Sequence, residues 1–106
     1  MSLFMDSTLA LMPPVEGTPG FERVASAGTE ARYSHSLVRD RVYTVLTGAT
    51  ACRVRFGADA LALASSTSFR VPPNTVMTFR ATPDQPNLSL IGDGGALEAW
   101  VWPSGR

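Results

Sequence analysis

His35 is the only histidine in the 106-residue sequence and stands in the run Ser34-His35-Ser36. An imidazole can ligate zinc or iron, but here carboxylates or Cys52 would have to complete the shell from distant positions, and no motif spacing brings them together. An exposed or hydrogen-bonded strand histidine is the expectation. Ser34, His35 and an aspartate supply the residue types of a nucleophilic triad, without the positional constraint that gives a triad meaning. Cys52 alternates in phase with Val54 and Phe56, so it reads as a small buried hydrophobe; an activated thiolate needs an accessible, cationic setting. Gly92-Asp93-Gly94-Gly95 is rich enough in glycine to suggest a phosphate cradle, yet strand-like residues follow it, not the helix whose N-terminus would hold the anion. Arg53, Arg55, Arg70 and Arg80, with Tyr43 or Phe79, resemble a surface for single-stranded nucleic acid. Pairing of those arginines with Asp40, Asp59, Asp84 or Glu98 on solvated faces is the favoured reading. No catalytic residue, cofactor or metal site is therefore expected.

The composition points the same way. Nine basic and nine acidic residues give a formal net charge of zero, which provides no overall attraction to nucleic acid or anionic lipid. All nine bases are arginine, a choice that suits bidentate pairing at interfaces and that genomic base composition also explains. With 44% hydrophobic and 17% charged residues, the chain is too apolar to be disordered throughout. It lacks the long apolar run of a membrane helix. One cysteine cannot form an internal disulfide, so core packing or association with other chains must stabilise a domain this small. Met1 to Met12 has no basic residue ahead of its apolar stretch and carries Asp6 within it, so no secretory signal is expected and the product should remain in the cell that makes it.

The elements that must position these residues are strands. Val42, Thr44 and Leu46 alternate with Tyr43, Val45 and Thr47; after Gly48-Ala49, Cys52, Val54 and Phe56 alternate with Arg53 and Arg55. Glycine at the first central position suits a type II′ turn, and a hairpin over Val42 to Phe56 is predicted. Further strands are predicted over Phe21 to Ser26, Ala31 to Ser36, Thr67 to Val71, Val76 to Ala81, Asn87 to Ile91 and Leu97 to Trp102. Ala58 to Ala64 alternates small and large residues and is also read as a strand. Pro72-Pro73-Asn74 forces a corner between Val71 and Val76. Asp93-Gly94-Gly95 is read as a second hairpin turn, joining Leu88–Ile91 to Leu97–Trp102. About eight short strands at this spacing make an all-β domain: a small antiparallel β-sandwich or jelly roll. In the last strand Trp100 and Trp102 share one side while Leu97, Ala99 and Val101 share the other. Either the small residues form the core and the indoles meet a partner, or the reverse; period two leaves both open.

Residues 1–20 form a separate arm ahead of the sandwich domain at 21–106. Leu3, Phe4, Met5, Leu9, Leu11 and Met12 are followed by Pro13, Pro14, Gly17, Pro19 and Gly20, which end any helix at once. Burying five such side chains does not by itself offset the backbone entropy of ordering a dozen residues. The arm is thus expected to become ordered where its backbone also bonds a neighbouring chain; closure over one end of its own subunit is the other reading.

Two resemblances follow from these patterns. Val71-Pro72-Pro73-Asn74-Thr75-Val76 ahead of Phe79 resembles the proline-turn-strand feature of cupin barrels, in which histidines on neighbouring strands hold a catalytic metal. Asn74 and Thr75 stand where such histidines would follow, so the likeness extends to shape and not to cupin metal chemistry. The second covers most of Arg41 to Arg106. The strand Arg41–Thr47, the Gly48 turn, Cys52-Arg53-Val54-Arg55-Phe56-Gly57, Phe69-Arg70-Val71-Pro72-Pro73 and the closing segment from Leu88-Ser89-Leu90-Ile91-Gly92 to Trp102-Pro103 resemble the short β-sandwich virion proteins of tailed bacteriophages. That resemblance implies a non-enzymatic capsid decoration or cement subunit, made in the host cytoplasm and carried on the virion surface. It implies a homo-oligomer, trimer or dimer, bound to the major capsid protein, with neither membrane nor nucleic acid as partner. Leu3, Phe4, Leu9, Leu11, Met12, Trp100 and Trp102 are the expected interface residues. The alternative is a cupin-like small-molecule-binding protein, or enzyme, with an internal pocket near Tyr33 and His35.

Overall fold

The computed structural model describes residues 19–58 and 63–104. Eight strands follow in chain order: β1 (Glu22–Ser26), β2 (Ala31–Arg32), β3 (Val42–Thr47), β4 (Cys52–Gly57), β5 (Phe69–Val71), β6 (Val76–Arg80), β7 (Asn87–Gly92) and β8 (Leu97–Pro103). They form two antiparallel four-stranded sheets, sheet A in the order β1-β8-β3-β6 and sheet B in the order β2-β7-β4-β5. Strand pairs β1·β8, β2·β7, β3·β6 and β4·β5 are the pairs of one long hairpin folded at its midpoint. Rolling that ribbon adds β3·β8 and β4·β7. This is the winding of a jelly roll, and the predicted all-β sandwich of about eight strands is the observed architecture. No helix among the described residues is long and apolar enough to cross a membrane.

The alternation seen in the sequence becomes the core. Tyr43, Val45 and Thr47 of β3, Leu97, Ala99 and Val101 of β8, and Val24 of β1 point inward from sheet A. Cys52 and Val54 of β4, Leu88 and Leu90 of β7, and Val71 of β5 meet them from sheet B. Val45, Cys52, Leu90, Ala99 and Val101 are wholly buried. Facing sheets stand about 10 Å apart, a gap that medium aliphatic side chains fill.

Both predicted hairpins are corrected. β3 lies in sheet A and β4 in sheet B, so residues 48–51 arch from one sheet to the other. Likewise β7 lies in sheet B and β8 in sheet A, so residues 93–96 form a second arch. The two arches sit side by side: the Asp93 amide donates to the Ala51 carbonyl at 2.8 Å. Gly48 serves close approach and not a II′ turn, since a Cβ there would stand 3.2 Å from the Glu98 carbonyl that its own amide bonds. Only the link from β4 to β5 joins neighbours within one sheet.

β1 and β6 are each one residue shorter than predicted, and β2 and β5 are shorter by more. β2 ends at Arg32 because the Glu22 carboxylate accepts both the backbone N–H and the hydroxyl of Ser34, each at 2.8 Å, taking Ser34 out of the ladder. β5 begins at Phe69 because residues 65–68 close a turn through Ser68 N–H to Ser65 O, with Ser65 Oγ accepting from the Thr67 amide. The strand read over Ala58 to Ala64 falls mostly outside the described residues; Ala58, Leu63 and Ala64, which are described, belong to no strand. Pro72-Pro73-Asn74 makes the predicted corner, carrying the chain from sheet B to sheet A, with Asn74 in the left-handed region at φ 52°. Asparagine tolerates that conformation better than most residues.

Candidate functional site

The two sheets differ in how their outer faces are finished. On sheet B, Ser89 points outward between Arg32 and Arg55 yet is buried, because the chain after β4 returns across it. Its hydroxyl accepts from the Ala64 amide at 2.8 Å and donates to the Glu30 carboxylate, which also takes Arg32 Nε at 3.2 Å. Sheet A carries apolar residues on its outer face instead. With Leu97, Ala99 and Val101 turned into the core, Trp100 and Trp102 point out; of the two readings of β8, the one with the small residues inside holds.

Register assembles the outer face. Trp100 stands between Arg23 of β1 and Leu46 of β3, and Trp102 lies opposite Thr44. Phe21, just before β1, brings its ring to 6.2 Å from Trp102. Phe21, Leu46, Trp100 and Trp102 line an open groove of about 190 Å³. Trp102 is 5% exposed and the Thr44 side chain beside it is buried, with its hydroxyl donating to Ser104 Oγ. Trp100 and Leu46 are partly buried, and the exposed Val76, which pairs with Leu46, extends the apolar surface onto β6. Arg23 and Glu98 close one side with an ion pair at 2.9 Å. Both partners are largely solvated, so the pair marks a polar rim and contributes little stability.

The point at which the preceding chain joins this face is fixed. Pro19 and Gly20 form a turn, and Gly20 has φ +86°, the value required at the third position of a type II turn. A Cβ on Gly20 would fall 2.8 Å from Pro103, so glycine is required sterically as well. The Tyr33 hydroxyl donates to the Gly20 carbonyl. Burial foremost, then the neighbouring Tyr43 and Glu22, push the Tyr33 phenol up to about 12, which keeps its proton available for this bond at neutral pH.

A second cavity, about 190 Å³, opens at this same end of the sandwich, lined in part by Tyr33, His35, Arg41, Tyr43 and Pro103. His35 is exposed in the bend after β2, outside any strand, with its ring 5.2 Å from that of Tyr33. Both phenol oxygens are committed to backbone: Tyr33 to Gly20 O, and Tyr43 as acceptor from the Val38 amide at 2.7 Å. Among the described residues no three His, Cys, Asp or Glu side chains are grouped to hold a metal ion. Cys52 is fully buried and its thiol is pushed up to about 11 by burial, the opposite of an activated nucleophile.

The arginine strip does not form as one surface. Arg53, Arg55 and Arg70 lie on the outer face of sheet B, whereas Arg80 lies on sheet A and donates to the Asp40 carbonyl at 2.6 Å. The carboxylate that pairs with Arg70 (2.8 Å) and Arg53 (3.5 Å) is Asp93, not one of the four acids predicted for the strip. The hydrogen bond from Arg70, reinforced by Arg53, holds the Asp93 carboxyl below its usual range. Arg55 Nη1 reaches the Leu63 carbonyl at 3.4 Å. Gly92, Gly94 and Gly95 flank Asp93 in the arch that presents its carboxylate to these two arginines.

Of the expected interface residues, Trp100 and Trp102 come together on one surface; Leu3, Phe4, Leu9, Leu11 and Met12 lie outside the described residues. Phe21 and Leu46 of the groove, and Val76 beside it, are residues that the sequence pattern did not single out. The outward parity of Leu46 in β3 was visible as alternation, but its adjacency to Trp100 depends on strand order. Compared with known protein families, curated proteins and solved structures, the chain matches none.

Proposed function

We propose that this chain is a non-enzymatic structural subunit that docks onto a larger assembly, in its fullest form a decoration or cement protein on the capsid of a tailed bacteriophage. The observation that carries the reading is the apolar groove of Phe21, Leu46, Trp100 and Trp102 on a sheet face that looks away from the core. An apolar groove on an outer sheet face, here with Phe21 and Trp100 partly exposed beside the buried Trp102, is a feature of interaction surfaces, and tryptophan is among the residues that dominate binding energy once water is excluded. Jelly rolls are shared by viral capsid domains, lectins and cupins. The winding therefore supports the reading without selecting it, and the groove adds a surface suited to a partner. Cementing requires that a subunit bridge neighbouring capsomers, and repetition over many sites turns modest local affinity into a large gain in shell stability. In this reading the arm residues Leu3, Phe4, Leu9, Leu11 and Met12 engage the major capsid protein beside Trp100 and Trp102, and the free protein is a dimer or trimer.

The test is co-sedimentation of the full chain with shells assembled from the major capsid protein encoded nearest to it. Saturable pelleting with the shells, a rise in their melting temperature, and loss of both in Trp100→Asp are expected. A chain that stays in the supernatant at all concentrations refutes the proposal. The cavity beside Tyr33 and His35 favours a second reading, a small-ligand-binding protein of cupin-like shape. Stoichiometric metal or ligand in the purified protein, lost in His35→Ala, would establish that reading instead.

A further inference from the structure

Among the described residues Arg41 is the one arginine whose guanidinium has neither a carboxylate nor a carbonyl partner. Arg23, Arg32, Arg39, Arg53 and Arg70 each stand in an ion pair, and Arg55 and Arg80 donate to backbone carbonyls. Arg41 instead lines the open cavity of about 190 Å³ at the end of the sandwich, together with Tyr33, His35, Ser36, Tyr43 and Pro103. Among the described residues no Asp or Glu lines it. The acids nearby are engaged elsewhere: Glu22 with Ser34, and Asp40 with Arg39 at 3.7 Å. The backbone that carries Arg41 is fixed on both sides. Its amide bonds the Val38 carbonyl at 3.0 Å, closing a turn in which Asp40 has φ 65°, and its carbonyl accepts from the Ala81 amide at 2.9 Å. The Val38 amide is held in turn by the Tyr43 hydroxyl oxygen at 2.7 Å. A rim built in this way lowers the ordering cost of binding.

We infer that this cavity is a binding site for a small organic carboxylate, an acid group on an aromatic or similarly apolar body, with Arg41 as its anchor. An unpaired guanidinium offers forked N–H groups that match both oxygens of a carboxylate. The Ser36 hydroxyl and the His35 imidazole, which have no hydrogen-bond partner among the described residues, stand in the same lining as further donors. A phosphate dianion suits the site less well, because phosphate sites converge several backbone amides on one anion and this lining has one permanent cation. The rest of the lining fits an apolar body. The Tyr33 and Tyr43 rings pack edge on at 6.2 Å, and both phenol oxygens are engaged by backbone groups, so the tyrosines offer a ligand ring surface. A cavity of about 150 Å³ is enough for benzene, so the space here admits one ring and its acid group. The inference rests on the small-ligand reading of this cavity, to which it gives a ligand class, and is independent of docking through the tryptophan groove.

Amide NMR of the full chain, titrated with benzoate at neutral pH and constant ionic strength, tests it. Saturable shifts centred on residues 33–41 and 103–104 are expected. Arg41→Gln should weaken binding by on the order of tenfold, the loss of a charge-assisted hydrogen bond. That variant keeps the fold, because Arg41 is bonded within the protein through its backbone alone. Arg39→Gln, which removes a neighbouring charge outside the cavity, should leave the affinity unchanged. Benzyl alcohol, the uncharged analogue, and inorganic phosphate should both bind more weakly than benzoate. Shifts that do not saturate, an undiminished affinity in Arg41→Gln, or an equal loss in Arg39→Gln overturns the inference. So does phosphate binding as tightly as benzoate, which would assign the site to inorganic oxyanions. Benzyl alcohol binding as well as benzoate overturns it too, yet leaves the cavity a ligand site; binding by none of the three probes removes the small-ligand reading along with it.

Discussion

Thr47→Val tests whether side-chain hydrogen bonds, and not shape alone, hold the proline corner to the rest of the sandwich. Thr47 is 2% exposed at the end of β3. Its Oγ1 donates to the Pro72 carbonyl at 2.6 Å and accepts from the Thr75 amide at 2.9 Å, while its own amide bonds the Thr75 carbonyl. Gly48 continues the staple: its carbonyl accepts from Asn74 and its amide donates to Glu98. Valine matches threonine in volume, so the substitution leaves packing nearly intact and strands one donor and one acceptor. An unsatisfied buried group costs about 1–3 kcal/mol, but the corner residues on either side are exposed and water reaches part of the deficit, so a loss of about 2–3 kcal/mol is expected. For a domain of this size that is a drop in melting temperature of roughly 10 °C or more. Thr47→Ser keeps the hydroxyl and removes one methyl, at a cost of about 0.5–1.5 kcal/mol, comparable with Ile→Val. Urea unfolding followed by circular dichroism reads both, provided that the slope m is unchanged. A valine variant as stable as the parent, or a serine variant less stable than the valine one, would refute the reasoning.

Three further outcomes follow from the same structure. Gly92→Ala places a Cβ 2.1 Å from the Gly95 carbonyl and 2.9 Å from the Leu97 amide, whereas at Gly94 the space is open and only its φ of +86° opposes a side chain. Gly94→Ala should therefore cost about 1 kcal/mol and Gly92→Ala several times that; equal effects in thermal melts would discredit the close approach of the arch. The buried Cys52 thiol should resist a chromogenic thiol reagent until the chain opens. The unfolded chain loses this proton near 9.0 and the folded one near 11. The stabilisation is therefore complete below pH 9 and declines as pH rises toward 11, a limb that Cys52→Ala should flatten in pH-dependent urea midpoints. Asp93 has the opposite sign. Its carboxyl is depressed in the folded state by Arg70 and Arg53, so its contribution is present above the ordinary carboxylate value and lost as pH falls through the depressed one. Asp93→Asn should make the acid limb shallower, and an unaltered acid profile would show the ion pairs to be inconsequential.

Much of this was legible from residue order, and the physical reason is period two. Alternation in Val42–Thr47 and Cys52–Phe56 identifies which side chains share a face, because successive Cβ atoms must point to opposite sides of any strand. That inward Cys52 and Val54 and outward Arg53 and Arg55 followed from alternation alone, as did a strand count near eight and the corner at Pro72-Pro73. Alternation carries no such information at Gly48 and Asp93-Gly94-Gly95. Turn-forming residues reverse the chain, but a reversal that lands in the same sheet and one that arches to the opposite sheet use the same local chemistry. Which occurs depends on the remote pairing of β1 with β8 and β3 with β6.

The candidate site divides along the same line. The sequence by itself determined that β8 is apolar on both sides, that Cys52 lies in the core, that a single histidine makes no histidine-rich shell, and that residues 3–12 are rich in apolar side chains. Tertiary structure decided which side of β8 faces out: Ala99 and Val101 are wholly buried opposite β4 and β7, and a gap of about 10 Å between sheets does not admit two indoles in their place. It also decided that Leu46 and Phe21, 25 residues apart by number, flank those indoles. It chose Asp93 as the partner of Arg53 and Arg70 as well. These are properties of strand order, and strand order is set by contacts between residues distant in the chain, which local pattern does not encode.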